Sequence, residues 1–157
     1  MSLKDKIALV TGSSRGVGKA VAEAFGRQGA DVVVNYASNE GAAREVVEDI
    51  RSNGRSAIAV RADVSKKSEA ERLVQATMDE FGRIDILVNN AGFTRPGMML
   101  KMPEEDWDQV IDIHLKGSFL CSQEAGRRMK EQMSGKIINV MSVAGLVGTV
   151  GQINYSA

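Results

Sequence analysis

Residues 11–18 read Thr11-Gly12-Ser13-Ser14-Arg15-Gly16-Val17-Gly18. The stretch follows directly on an apolar run, Ile7-Ala8-Leu9-Val10, and leads into a pattern in which Val17, Val21, Ala24 and Phe25 recur at helical spacing. Strand, glycine-rich turn and helix in that order describe a place where phosphate can be held. Glycines let the turn tighten and bring backbone N–H groups close to a ligand. The first turn of the helix adds a partial positive charge aimed the same way. The spacing is G-x-x-x-G-x-G rather than G-x-G-x-x-G, so placement between strand and helix carries the reading more than the glycines do.

The same alternation continues along the chain. Short apolar runs at 32–34, 57–60, 84–88 and 137–140 are rich in Val and Ile and do not alternate with polar residues, as expected for strands covered on both faces. Helical patterns lie between them. One ends at Gly29, one spans 40–52 with Gly54 beyond it, and one carries Leu73, Val74, Thr77 and Phe81 and closes at Gly82. Pro103 opens a fourth helix, and a fifth is expected from about 115 to 133, ended by Gly135. The order predicts an α/β fold, a Rossmann-like doubly wound parallel sheet forming a single domain over residues 1–157. The sequence stops at Ala157 in a loop-like stretch with no helix to cover the fifth strand, so the sheet is expected to be C-terminally incomplete.

Composition narrows the class of function. The 157 residues are 43% hydrophobic and 25% charged, which excludes a disordered tail, a collagen-like repeat and a coiled coil. Twenty basic and twenty acidic side chains cancel, leaving no global argument for nucleic acid or an anionic membrane. No apolar run reaches the length of a signal peptide core or a membrane span. The lone Cys121 cannot form an internal disulfide and reads as buried packing, which fits a cytoplasmic location. With His114 as the only histidine, no cluster has metal-ligand spacing.

Ligands of such sheets bind beyond the carboxyl ends of the strands, so residues there are the candidates. The second strand ends at Asn35-Tyr36-Ala37-Ser38, without the acidic residue that would bond the ribose 2′-OH of NAD. Arg15 can pair with a 2′-phosphate through its forked guanidinium, or it is a solvated surface arginine; taken with the missing carboxylate it favours NADPH over NADH. Asp63, before Val64 at the end of the third strand, can accept from an adenine amine or cap the next helix. Asn90, Ala91 and Gly92 after the fourth strand allow a close turn against a cofactor, or simply end the strand. Ser142 ends the fifth strand, and Tyr155 follows thirteen positions later in a Gly-rich loop. A tyrosine serves as a general acid when a neighbouring positive charge lowers its pKa from about 10. Met98, Met99 and Met102 read as core or cavity lining, Trp107 as an anchor for the fourth helix, and Arg127, Arg128 and Lys130 as a small basic cluster on a solvated face.

Together, the stretch Thr11 to Gly18, the pair Asp63-Val64, the run Asn89 to Gly92, Ser142 and Tyr155 resemble the short-chain dehydrogenase/reductase family over the whole sequence. The residues from Lys6 to Gly18 and from Val88 to Arg95 look most like its 3-oxoacyl-[acyl-carrier-protein] reductase branch. The resemblance implies NADP(H) held by Gly12, Ser13, Ser14, Arg15, Gly16, Val17, Gly18, Asn35, Ala37, Asp63, Val64, Asn90, Ala91 and Gly92. It implies reduction of a ketone to an alcohol, with Tyr155 giving the proton to the carbonyl oxygen and Ser142 bonding that oxygen. His114 stands where the family carries an asparagine that holds a relay water; a histidine can bond a water or a backbone carbonyl there, or it is a helix residue with no catalytic part. The family's lysine, four positions after the tyrosine, would fall at position 159, past Ala157, so these 157 residues alone are expected to be inactive. The resemblance also implies docking of an acidic acyl carrier protein at Arg127 and a homotetramer at full length. Two alternatives stand beside it: a short-chain dehydrogenase acting on a small ketone or alcohol, and a non-catalytic NADP(H)-binding protein.

Overall fold

The computed structural model describes residues 2–157. Five strands, β1 (Ile7–Val10), β2 (Asp31–Tyr36), β3 (Ala57–Arg61), β4 (Ile86–Asn89) and β5 (Lys136–Asn139), form one parallel sheet in the order β3-β2-β1-β4-β5. The register sets Val10, the last residue of β1, beside Val34 on one side and Val88 on the other, so β2 runs two residues and β4 one residue past the end of β1. The chain builds outward from β1 to β3, then crosses back to place β4 on the other side of β1. That reversal opens a crevice beyond the ends of β1 and β4, where ligands of open α/β sheets bind.

The apolar runs are explained by burial on both faces. On one face Ala8, Val10, Val32 and Val34 pack against Ala22 of α1 (Gly16–Arg27) and against Ala43, Val46, Val47 and Ile50 of α2 (Glu40–Ser52). On the other, Leu9, Val33 and Leu87 pack against Leu73 and Val74 of α3 (Lys67–Phe81) and Leu120, Cys121 and Ala125 of α5 (Gly117–Glu131). Successive strand residues point to opposite faces, so a strand covered on both must be apolar throughout. Helix ends follow local chemistry: Asn39 Oδ1 accepts from Ala42 N at 3.0 Å to cap α2, and Gly82 closes α3 at a left-handed φ of 71°.

At the opposite end of the sheet Asp85 locks β4 to β1. Its carboxylate accepts from Ile7 N at 3.0 Å, receives both donors of the Arg83 fork and lies 3.6 Å from Lys6 Nζ. Burial pushes its pKa up, but the bonds from Arg83 and Ile7 and the charges of Arg83 and Lys6 outweigh that, so the pKa is lowered.

Three sequence expectations change. The fourth and fifth helices are not separate: α4 (Glu104–Ile111) runs through a π-helical turn, Asp112–Lys116, straight into α5. No Gly or Pro stands between Pro103 and Gly117 to break the chain, and α5 ends at Glu131 with Met133 beyond it at a φ of 54°. Tyr155 lies on a helix rather than in a loop: after β5 come two single turns, α6 (Ala144–Val147) and α7 (Ile153–Ser156). Met98 and Met99 are exposed, at the start of a 3₁₀ turn at Met99–Lys101, and line neither of the two cavities described below. β5 itself is exposed along its length. Among the described residues no helix is long and apolar enough to cross a membrane.

Candidate active site

A cavity of about 550 Å³ lies over the ends of β1, β2 and β3. Its walls come from the glycine turn, residues 35–39, residues 62–64 and residues 90–93. A second cavity of about 480 Å³ shares Val17 and residues 90–93 with the first and reaches His114, Ser142 and Tyr155. The two form one trough crossing the switch point of the sheet.

The glycine turn is held by side chains turned inward. Thr11 Oγ1 accepts from the N–H groups of Asn90 and Ala91 at 2.9 and 3.0 Å and donates to Val88 O. Asn90 Nδ2 returns the connection, donating to Thr11 O and Gly12 O. Asn35 Oδ1 accepts from Gly12 N at 3.0 Å, while its Nδ2 donates to Ala62 O and Val60 O. Ser13 Oγ donates to Val10 O and accepts from Asn35 N. The side chains of Ser13, Asn35 and Asn90 are therefore spent on the shape of the turn. Gly12 must be glycine twice over: its φ is +61°, and a Cβ there would sit 2.7 Å from Ala91 Cα.

What faces the first cavity suits an anionic dinucleotide. α1 begins at Gly16 with no side-chain cap and no acidic residue in its first turn, which leaves its N–H groups and partial positive charge free. Arg15 sits at that N-terminus and lines the cavity, as do Ser14, Gly16, Val17 and Ala37. Residues 35–39 bring no carboxylate to the wall. Asp63 lines the same cavity, its Oδ1 accepting from both N and Oγ of Ser65 and its Oδ2 lying 3.5 Å from Lys66 Nζ. Burial raises its pKa, but the Ser65 bonds and the Lys66 charge prevail and hold it low, so it stays an ionised acceptor. It shapes the turn into α3, whose N-cap is Lys66, rather than capping the helix. Gly18 contacts the turn instead of the cavity, since a Cβ there would meet Asn90 Nδ2 at 2.4 Å.

The second cavity gathers the candidate proton-handling groups. His114, in the middle of the π turn, lies under residues 92–93: a Cβ at Gly92 would fall 2.0 Å from its ring. Its Nε2 is 2.9 Å from Phe93 O and 3.2 Å from Phe93 N. A protonated Nε2 donates to the carbonyl; an unprotonated one accepts from the N–H. The ring meets Tyr155 edge-on, with centroids 5.2 Å apart and planes at 74°. Ser142 lies three residues past the end of β5, its Oγ accepting from Ala144 N at 3.2 Å. Thr11 and Asn89, which open the two motif stretches, are buried, as is Asn154, a polar residue that the sequence did not single out although it directly precedes Tyr155.

The remaining candidates lie apart. Arg127 pairs with Glu124, and Arg128 donates to Gln75 at 2.9 Å, on a face of α5 that lines neither cavity. Cys121 is enclosed, and burial pushes its thiol up to about 12, so it is inert packing. No cluster among the described residues can hold a metal ion.

A parallel sheet with this strand order, a glycine turn before an uncapped helix and a trough across the switch point define a Rossmann-like α/β protein. The profile of the short chain dehydrogenase family matches residues 6–157, and the chain belongs to that family. It is 52% identical over 156 residues to the 3-oxoacyl-[acyl-carrier-protein] reductase of Synechocystis sp., covering 99% of this chain and 63% of the relative. It is 45% identical over 152 residues to 3-oxoacyl-[acyl-carrier-protein] reductase FabG of Staphylococcus aureus, covering 97% and 62%. The crystal structure of a short chain dehydrogenase from Mycobacterium avium superposes with a TM-score of 0.93 at 38% identity, over 99% of this chain and 59% of that one. The chain thus spans about three fifths of the length of the proteins it matches.

Proposed function

We propose that the chain carries the NADP(H) site and the proton-donating side chains of a ketone reductase. Its substrate is a 3-oxoacyl group on acyl carrier protein, reduced to the 3-hydroxyacyl form. The observation that carries this reading is the single trough in which the uncapped N-terminus of α1 and the trio Ser142, Tyr155 and His114 face connected spaces. The choice of substrate rests on the relatives that carry the reductase name.

The N–H groups at the start of α1 receive the pyrophosphate, and Arg15 takes the 2′-phosphate through its fork. Asp63 accepts from the adenine amine, Val64 and Ala37 complete that wall, and Asn90, Ala91 and Gly92 border the path toward the second cavity. Bound in this trough, the nicotinamide supplies the hydride. Tyr155 gives its phenolic proton to the carbonyl oxygen, and Ser142 Oγ–H bonds the same oxygen as negative charge develops on it. His114, bonded to Phe93 and edge-on to Tyr155, backs the phenol and stands where a relay group belongs. Arg127 offers a cation for the acidic carrier, provided that it leaves Glu124. A reduced Cys121 agrees with a cytoplasmic enzyme.

The test uses the protein as its gene encodes it. Tyr155→Phe should lower turnover of a 3-oxoacyl thioester by about 10²-fold or more while sparing NADPH binding. Arg15→Ala should weaken NADPH by about 10-fold or more and leave NADH nearly unchanged. Normal turnover by Tyr155→Phe removes Tyr155 as the acid, and equal NADPH and NADH affinities in the unaltered protein remove the Arg15 assignment. Faster turnover of simple ketones than of the thioester moves the substrate to a small ketone.

A further inference from the structure

We propose that Asn154 is the positioning residue of Tyr155, fixing the phenol by tying the turn that carries it to α4 and to the loop after β4. The inference rests on the reading of Tyr155 as the proton donor. Asn154 and Tyr155 are consecutive residues of α7, Ile153–Ser156.

Asn154 is 2% exposed and every polar group of its side chain is engaged. Nδ2 donates one proton to Arg95 O and the other to Asp106 O, both at 3.0 Å. Oδ1 accepts from Tyr155 N at 2.9 Å. One amide thus joins three segments, with the reacting residue as its immediate neighbour. The attachment is reinforced nearby, where Gly97 N donates to Gly151 O at 2.8 Å. The same loop holds the other side of the phenol: Phe93 bonds His114, whose ring meets Tyr155, and the Arg95 guanidinium lies 5.0 Å over the Phe93 ring. Movement of α7 against this loop would shift the phenol relative to His114 and Ser142.

The chemistry requires asparagine. An ionised aspartate keeps the acceptor for Tyr155 N but sets a carboxylate against two carbonyl oxygens. Glutamine is one methylene too long for a closed site, and alanine leaves both carbonyls and the Tyr155 N–H without their partner. Asn154 acts through Tyr155 and takes no proton itself.

The test compares Asn154→Asp and Asn154→Ala with Tyr155→Phe in the protein as its gene encodes it. Both Asn154 variants should lose on the order of 10²-fold in kcat while NADPH affinity and the KM for a 3-oxoacyl thioester change by less than about threefold. Amide hydrogen exchange at Tyr155 and Ser156 should quicken by about tenfold or more, with exchange in β1 and β4 unaltered. In the unaltered protein the Asn154 side-chain amide protons should exchange far more slowly than those of an exposed asparagine, a measurement that needs no variant to fold. The proposal is overturned by unprotected Asn154 side-chain protons, by unchanged kcat and unchanged exchange at Tyr155 in the variants, or by loosening that is as large in β1 and β4 as in α7. If Tyr155→Phe keeps its turnover, the acid assignment falls, and the exchange measurements alone decide whether Asn154 holds the segment.

Discussion

Asp85 shows how one enclosed carboxylate ties two strands together. It is 4% exposed, yet its partners Arg83 and Lys6 are each about half exposed, so solvent screens much of the attraction. Asp85→Asn should cost about 1–2 kcal/mol at neutral pH, mainly by weakening the charged bonds to Arg83 and Ile7 N. The pH dependence has a definite sign. The folded pKa lies below the ordinary value of 3.8, so the unfolded chain takes up the proton first as pH falls. The stabilisation is complete above the ordinary value and is lost as pH drops through the lowered one. Urea unfolding at a series of pH values should show stability falling below about pH 4, with part of that slope missing in Asp85→Asn. Asp63, also lowered, contributes in the same direction.

At the scale of the element, α1 leaves its N-terminal charge uncompensated. A helix normally gains from an acidic residue in its first turn, and α1 has none. Val17 occupies that turn, is exposed and borders both cavities. Val17→Asp should therefore stabilise the helix end by about 0.3–1 kcal/mol and weaken NADPH by roughly tenfold through repulsion of its phosphates. A thermal melt of the free protein and a binding titration read the two effects separately. Opposite signs are the expected result; tighter binding would mean that the pyrophosphate lies elsewhere. The π turn between α4 and α5 carries His114 under residues 92–93 and against Tyr155, at a point where a regular helix would follow a different course.

For the whole molecule, the trough is walled by residues at or just past the ends of all five strands and by loops far apart in sequence, so a ligand in it braces several segments at once. NADPH at a hundred times its dissociation constant should raise the unfolding free energy of the protein encoded by the gene by about 2.7 kcal/mol. NADH at the same concentration should give a smaller shift, read as a difference in Tm. An equal shift from both nucleotides would mean that the 2′-phosphate adds nothing.

Much of this architecture was legible because its causes are local. Apolar runs of three to five residues, a glycine turn before a helical pattern and glycines closing helices each depend on neighbours only a few positions away. They located all five strands and the first three helices, and they placed the glycine turn and Asp63 beside one cavity with Asn90 and Gly92. The continuous helix through Asp112–Lys116 was missed because periodicity does not register one wide turn. The inward use of Asn35 and Asn90 was equally hidden: their partners Gly12 and Thr11 are 23 and 79 positions away and become neighbours only through the strand order. The same holds for Asn154, whose carbonyl partners lie 59 and 48 positions back in the chain. Periodicity and turn chemistry act within a few residues and so can be read along the chain, whereas a buried amide takes whatever partners the packed sheet brings to it.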